Sequence, residues 1–225
     1  MSSDKYEVGS LEIPGVQGHS VQNLYFQQME ASDRLVLMYP GLRYSCDKPL
    51  LYYTTELLLE RGYDVLQLRA NYRTPEFKDL SQADQTIQLI EDGKALLNAG
   101  RQEKPYSDLI LIGKSLGTLA MAFILSEDRD LLNVKTIWLT PLMHLTPVSQ
   151  TALELTGPAF IAGSETDPTF ESEPVTRIQS KSNVILHIIQ HANHSLEIPG
   201  DPLRSLQILT LVIENLKSFL IHTIP

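Results

Sequence analysis

The chain has 225 residues, of which 43% are hydrophobic and 20% are charged, and this ordinary globular composition suits a single α/β domain over residues 1–225. A formal net charge of −9 argues against a nucleic-acid partner, because nothing supplies a basic patch for phosphates. The one cysteine, Cys46, permits no internal disulfide and is expected to be a small packed residue. No apolar leader begins the chain, and no apolar run approaches the roughly 20 residues that span a bilayer. The sequence therefore predicts a soluble cytoplasmic protein with no membrane partner.

The N-terminal part predicts two strands, 6–13 and 21–27, that pair antiparallel at the edge of a sheet across a turn cluster at 14–18. After them, apolar runs and amphipathic segments alternate along the chain. The further predicted elements are strand 34–39, helix 49–61, strand 63–69, helix 79–98, strand 109–112, a helix directly after Ser115, strand 134–139, helix 147–155, strand 158–162, helix 172–180, strand 184–190 and helix 202–222. This order predicts an α/β fold, with a mostly parallel, doubly wound sheet of about seven to eight strands and helices on both faces.

Local signals set some of these boundaries. Asp47 is placed to cap the helix that begins at Pro49. Residues 71–78 are predicted to be a loop, and Gly100 is predicted to close the helix 79–98.

The pentapeptide Gly113-Lys114-Ser115-Leu116-Gly117 lies where a buried strand gives way to a helix, which is the context of a G-x-S-x-G nucleophile elbow. A strand that turns sharply into a helix brings its flanks close together, so a Cβ at either glycine would collide. The serine at the apex presents its hydroxyl above the sheet, and Ser115 is the candidate nucleophile. An ordinary tight turn between strand and helix has the same composition. Whether Ser115 is a nucleophile therefore depends on whether an acid and a histidine follow it in the chain.

Both partners follow strands that end at the same edge of the predicted sheet, where ligands of such sheets bind. Asp167 comes after strand 158–162 and His194 after strand 184–190, which gives the order Ser, Asp, His of an α/β-hydrolase. A serine hydroxyl becomes a good nucleophile when an imidazole takes its proton. A carboxylate then holds that imidazole in the useful tautomer and stabilises the imidazolium.

Alternatives remain at both positions. Asp167 before a proline is also a turn former, and Glu165 is a rival acid that the sequence leaves open. His191 is a second candidate base, whereas His187 lies inside a strand and is predicted to be a packing residue. His191 and His194 lack a clear third ligand, so no metal site is predicted.

Two backbone amides are candidates for an oxyanion hole. One is the N–H of Leu116, directly after the nucleophile. The other is the N–H of Leu42, in the loop after strand 34–39, where Gly41 lets the backbone turn. A plain Pro-Gly turn explains the same dipeptide equally well.

These residues together resemble a compact, capless α/β-hydrolase of the dienelactone-hydrolase-like kind. The resemblance covers about residues 20–222 and is carried by Tyr-Pro-Gly-Leu at 39–42, the pentapeptide at 113–117, Asp167-Pro168 and Ala-Asn-His-Ser-Leu-Glu at 192–197. It implies an α/β-hydrolase fold and a serine hydrolase that needs no cofactor. The interval 139–158 leaves room for one short helix, so no large cap is expected.

The sequence departs from the family in three places. Pro40-Gly41 stands where members commonly carry His-Gly, and Ser115 stands where dienelactone hydrolase itself uses a cysteine. The acid usually lies three residues after the glycine at the strand end, whereas Asp167 lies four after Gly163. The last departure keeps Glu165 open as the acid.

An open site suits small or extended acyl groups. A basic rim for an anionic substrate is one interpretation of four cationic residues near strand ends, and scattered solvated cations are the other. These residues are Arg43, Arg69, Arg73 and Lys114. Candidates for the acyl side of the site are Tyr44, Tyr72, Met143 and Leu145.

The sequence therefore favours a hydrolase that cleaves a small-molecule ester or thioester through an acyl-enzyme. Two other functions stay open, because a fold does not determine a substrate. One is a peptidase or amidase of the same fold. The other is a non-catalytic binding protein with a vestigial site.

Overall fold

The structure is a computed structural model that describes residues 5–222, and an eight-stranded sheet runs through them. The strands are β1 (Tyr6–Gly9), β2 (Asn23–Gln28), β3 (Arg34–Tyr39), β4 (Asp64–Leu68), β5 (Asp108–Lys114), β6 (Lys135–Leu139), β7 (Ala159–Ser164) and β8 (Val184–Ile189). The α-helices are α1 (Pro49–Glu60), α2 (Pro75–Lys78), α3 (Gln82–Glu103), α4 (Leu116–Glu127), α5 (Thr146–Glu154), α6 (Ser172–Gln179) and α7 (Pro202–His222).

The strand order in the sheet is β1-β2-β4-β3-β5-β6-β7-β8. β2 pairs antiparallel with β1 and with β4, whereas the other neighbours pair parallel. The predicted antiparallel edge and the mostly parallel, doubly wound sheet are therefore confirmed. β5 lies between β3 and β6, so its carboxyl end opens at the centre of the sheet edge where ligands bind in such folds.

Helices bury both faces of the sheet. Ile110 and Ile112 of β5 belong to one apolar cluster and Leu111 to the other, because successive side chains of a strand point to opposite faces. Residues of α1 and α7 complete the first cluster, and residues of α3, α4, α5 and α6 complete the second. Each fully buried leucine or isoleucine contributes about 1.5–3 kcal/mol, so this packing holds the strand ends firmly in place.

The connection between β6 and β7 contains one helix, α5, of 9 residues. In the described part of the chain no domain is inserted there, so the fold has no cap. Among residues 5–222, no helix combines the length and the apolar character that crossing a bilayer requires.

Three local predictions were wrong. Lys48, not Asp47, is the N-cap of α1, and the carboxylate of Asp47 instead accepts a hydrogen bond from Arg69 at 2.6 Å. The segment 71–78 is not all loop, because α2 forms within it. α3 continues through Gly100, where a Cβ would lie 3.0 Å from a methyl carbon of Leu35. Gly100 therefore serves close packing of helix on sheet, and does not end the helix.

Candidate active site

Ser115 lies at a sharp turn between the end of β5 and the start of α4. Its φ is +52° and its ψ is −118°, a conformation that non-glycine residues rarely adopt. Its N–H donates to the carbonyl oxygen of Leu139 at 3.0 Å, and its carbonyl oxygen accepts from the N–H and the hydroxyl of Thr118 at 2.8 and 2.6 Å. These bonds maintain a backbone strain of about 1–3 kcal/mol.

The two glycines of the elbow are required sterically. A Cβ at residue 117 would overlap the carbonyl oxygen of Tyr39 at the end of β3. A Cβ at Gly113 would lie 2.9 Å from the Cα of Thr118. The turn is therefore so tight that only glycine fits at residues 113 and 117.

The structure brings Ser115, His194 and Asp167 together in one hydrogen-bonded chain. The Oγ of Ser115 lies 2.6 Å from Nε2 of His194, and Nδ1 of His194 lies 2.6 Å from Oδ2 of Asp167. An ionised carboxylate only accepts hydrogen bonds, so Nδ1 carries the proton and Nε2 is free to accept the proton of the serine. The side chain of Asp167 is fully buried, whereas that of His194 is 35% exposed. The arrangement can activate the hydroxyl as a nucleophile.

Thr169 holds the carboxylate of Asp167 in place. Its N–H and its hydroxyl donate to Oδ1 at 3.0 and 2.8 Å, and the same hydroxyl oxygen is 3.2 Å from Nδ1 of His194. Burial opposes ionisation of Asp167, but the hydrogen bonds from His194 and Thr169 outweigh it and hold the pKa of the carboxyl below its usual value. Asp167 is therefore ionised at neutral pH.

The alternative candidates for the acid and the base, Glu165 and His191, lie outside this hydrogen-bonded chain. Glu165 accepts a hydrogen bond from the backbone N–H of His191 at 3.0 Å, and the ring of His191 is 82% exposed. His187 packs beside the ring of Phe160 at 5.5 Å, and burial lowers the pKa of its imidazole. Within residues 5–222, no group of three or more His, Cys, Asp or Glu side chains could hold a metal ion.

The loop after β3 packs directly against the elbow. Reciprocal hydrogen bonds of 3.0 and 3.3 Å between Gly41 and Tyr44 close a tight turn that has Leu42 and Arg43 at its tip. A Cβ at Gly41 would lie 3.1 Å from the Cβ of Ser115, so the turn lies next to the candidate nucleophile. Leu116 is the first residue of α4, so its N–H has no acceptor within the helix.

No family model and no curated protein sequence matches the chain. Solved structures match nearly all of it. Dienelactone hydrolase from Anabaena variabilis has a TM-score of 0.72 at 16% identity, with 98% of this chain and 100% of that chain covered. An esterase from Pyrococcus furiosus has 0.71 at 18%, covering 98% and 94%. A lidless α/β serine hydrolase from Xanthomonas campestris has 0.71 at 14%, covering 97% and 96%.

This protein has the α/β-hydrolase fold. The expected capless form of that fold is also confirmed, because the matches span both chains almost completely and α5 is the only helix between β6 and β7. Identities of 14–18% establish the fold alone, because proteins of one fold carry out different reactions.

Lys114 does not lie on an exposed rim of the site. Its side chain is buried with 1% exposure and lies on the same face of β5 as Ile110 and Ile112. Its Nζ donates to the carbonyl oxygen of His194 at 2.9 Å and lies 4.8 Å from the centre of the Tyr44 ring. The prediction that Lys114 belongs to an exposed basic rim was therefore wrong, because its side chain lies on a face of the sheet that helices cover.

The three arginines do lie together. A cavity of about 350 Å³ beside the turn 41–44 has Gly41, Leu42, Arg43, Lys48, Arg69 and Arg73 among its lining residues. Arg69 is already paired with Asp47 at 2.6 Å, whereas Arg43 and Arg73 are exposed. A basic surface thus adjoins the site, where Arg43, Lys48 and Arg73 have no carboxylate partner among the described residues.

Two of the candidates for the acyl side are misplaced for that role. Tyr72 is buried in a different cavity, where its hydroxyl donates to Asp92 at 3.1 Å. Met143 is 1% exposed and belongs to the apolar core. Tyr44 is 8% exposed, and its hydroxyl oxygen accepts from the N–H of Leu50 at 3.0 Å. Tyr44 therefore supports the site with its ring and offers little surface to a substrate.

The sequence reasoning missed Thr118, Thr169 and the structural role of Lys114. Thr169 has a local signal, since a threonine two residues after an aspartate commonly closes a turn on its carboxylate. Thr118 has a local partner in the carbonyl oxygen of Ser115, but its contact with the N–H of Leu142 has no local signal, and neither has the contact of Lys114 with His194.

Proposed function

We propose that this protein is a serine hydrolase that cleaves an ester or a thioester of a small or extended acyl substrate. The observation that carries the proposal is the continuous hydrogen-bonded chain from the strained Ser115 through His194 to the buried Asp167. A vestigial site has no physical reason to keep two 2.6 Å contacts and a strained serine in line.

The reaction follows from these positions. The Oγ of Ser115 attacks the acyl carbon while Nε2 of His194 takes its proton, and Asp167 stabilises the resulting imidazolium. The N–H groups of Leu116 and Leu42 bind the oxyanion. His194 then donates the proton to the leaving alcohol or thiol, which leaves an acyl-enzyme. Water, activated by the same imidazole, releases the acid and restores the serine. No cofactor is needed.

An ester or thioester is favoured over an amide by two considerations. Of the proteins with the same fold, one is an esterase and another is a dienelactone hydrolase. The absence of a cap leaves the mouth of the site open to small or extended acyl groups. The contacts to substrate are assigned to the turn that carries Leu42 and Arg43, with Tyr44 behind it.

The test is hydrolysis of p-nitrophenyl esters of short and long acyl chains and of peptide p-nitroanilides, together with labelling by a fluorophosphonate. We expect ester hydrolysis and labelling in the native protein, and loss of both in Ser115→Ala and His194→Ala. Ser126→Ala is the matched control, because this serine lies on the exposed side of the same helix α4. A folded native protein that neither labels nor hydrolyses any ester would support the binding-protein alternative. Preferential cleavage of the anilides would favour a peptidase.

A further inference from the structure

Lys114 is a buried amine that the reaction above does not use. It is the last residue of β5 and lies on the same face as Ile110 and Ile112, under α1 and α7. Its polar contact is with the backbone carbonyl oxygen of His194, 80 residues away in the chain. Its ammonium also faces the ring of Tyr44, and the carboxylates of Asp167 and Glu197 favour its charged form.

Burial at this position destabilises the charged form of the Lys114 amine. Burial lowers the pKa of Lys114 to about 7, against the opposing effect of Asp167 and Glu197. A methionine has a similar length and would fill the same apolar space without that penalty. The compensating interaction is the one with His194, and it is retained in both protonation states because a neutral amine also donates a hydrogen bond.

The loop that carries His194 is held at several points. The hydroxyl of Thr166 donates to the carbonyl oxygen of Ala192 at 2.7 Å, and Glu165 accepts from the N–H of His191 at 3.0 Å. Both contacts lie before the histidine. Lys114 is the residue that reaches the backbone of His194 itself, from the strand that ends at Ser115.

We propose, building on the serine-hydrolase function, that Lys114 is a positioning residue that holds the backbone carbonyl of His194 and thereby keeps its imidazole in line between Ser115 and Asp167. The strand that ends directly before Ser115 therefore also anchors the loop of His194, through the side chain of its last residue, Lys114. A displacement of about 1 Å in such a constellation can reduce the rate by about 100-fold.

The test compares Lys114→Met with Lys114→Arg, which keeps the donor and the charge. Lys135→Met is the matched control, because Lys135 is 8% exposed on the neighbouring strand β6 but pairs with Asp108 at the opposite end of the sheet. The readouts are fluorophosphonate labelling rate against pH, kcat and KM on the best ester, and amide hydrogen exchange of residues 191–197 in the full chain.

We expect Lys114→Met to label about 10- to 100-fold more slowly, with kcat reduced and KM within about twofold. Exchange of 191–197 should rise while exchange of the other strands and helices stays unchanged, and Lys114→Arg should recover part of both effects. Lys135→Met should keep the native labelling rate.

Labelling within twofold of the native rate, with native exchange in 191–197, would overturn the proposal. If the native protein itself does not label, the serine-hydrolase function fails, and hydrogen exchange alone then decides whether Lys114 holds this loop. A rise in exchange spread over the whole of Lys114→Met would show a general loss of stability and would also contradict a positioning role.

Discussion

The Oδ2 of Asp167 lies 2.6 Å from Nδ1 of His194, and the Asp167 side chain is fully buried. Glu165, only two residues away, instead binds the backbone N–H of His191. Two carboxylates that are neighbours in the sequence thus have separate tasks, one on the imidazole and one on the turn that carries it.

Replacement of the two acids should separate these tasks. Asp167→Asn should lower kcat by about 10³- to 10⁴-fold, because an amide stabilises the wrong tautomer of His194. Glu165→Gln keeps an acceptor for the N–H of His191 and should change kcat by less than about threefold. Steady-state ester hydrolysis measures both. A larger loss in Glu165→Gln than in Asp167→Asn would reassign the acid.

Thr169→Val removes the hydroxyl that donates to Asp167 and keeps the shape of the side chain. One hydrogen bond to a charged group is worth about 1.5–3 kcal/mol, so kcat should fall by about 10- to 100-fold if the carboxylate loses its orientation. Thr176→Val, on the exposed face of α6, is the control and should leave kcat unchanged. Equal rates in the two variants would mean that the backbone N–H of residue 169 suffices.

Because the amine of Lys114 is buried, we expect the free energy of unfolding to depend on pH. Its pKa is lowered to about 7 in the folded protein, so between pH about 7 and about 10 the unfolded chain binds more protons than the folded one. The amine therefore penalises folding fully below pH about 7, and the penalty disappears as the pH rises toward 10.

Urea unfolding of the native protein and of Lys114→Met at pH 6.5 and pH 9.5 measures this effect. The free energy of unfolding of the native protein should increase relative to that of Lys114→Met at the higher pH. A difference between the two proteins that is the same at both pH values would show that residue 114 carries no depressed titration.

From the cavity beside the turn 41–44 we expect a preference for acyl groups that carry a negative charge. Among the described residues, Arg43 and Arg73 line it without a carboxylate partner such as Arg69 has. We expect kcat/KM for the p-nitrophenyl ester of succinate to fall about tenfold in Arg43→Gln/Arg73→Gln, while the uncharged butyrate ester is affected little. Arg129→Gln, a surface arginine paired with Glu154, is the control. Equal losses on both esters would remove the charge preference.

The sequence by itself determined the order of the eight strands and of every helix except α2, and the tight elbow around Ser115. Apolar runs reveal buried strands, and the steric demand at Gly113 and Gly117 is local, so both are legible along the chain. The ends of the helices are harder to predict from the sequence. Gly100 looks like a helix end, and only the close approach of α3 to Leu35 of β3 explains a glycine within the helix.

Only the tertiary structure decided which polar side chains meet. The loop after β7 folds so that Asp167, and not Glu165, contacts His194. A hydrogen bond from Thr169 holds the carboxylate of Asp167 in that position. In the sequence, Lys114 looks like an exposed cation. In the structure it is buried, because α1 and α7 cover the face of β5 on which it lies. Pairing across 80 residues depends on how the strands are arranged in the sheet, and no local pattern in the chain encodes that distance.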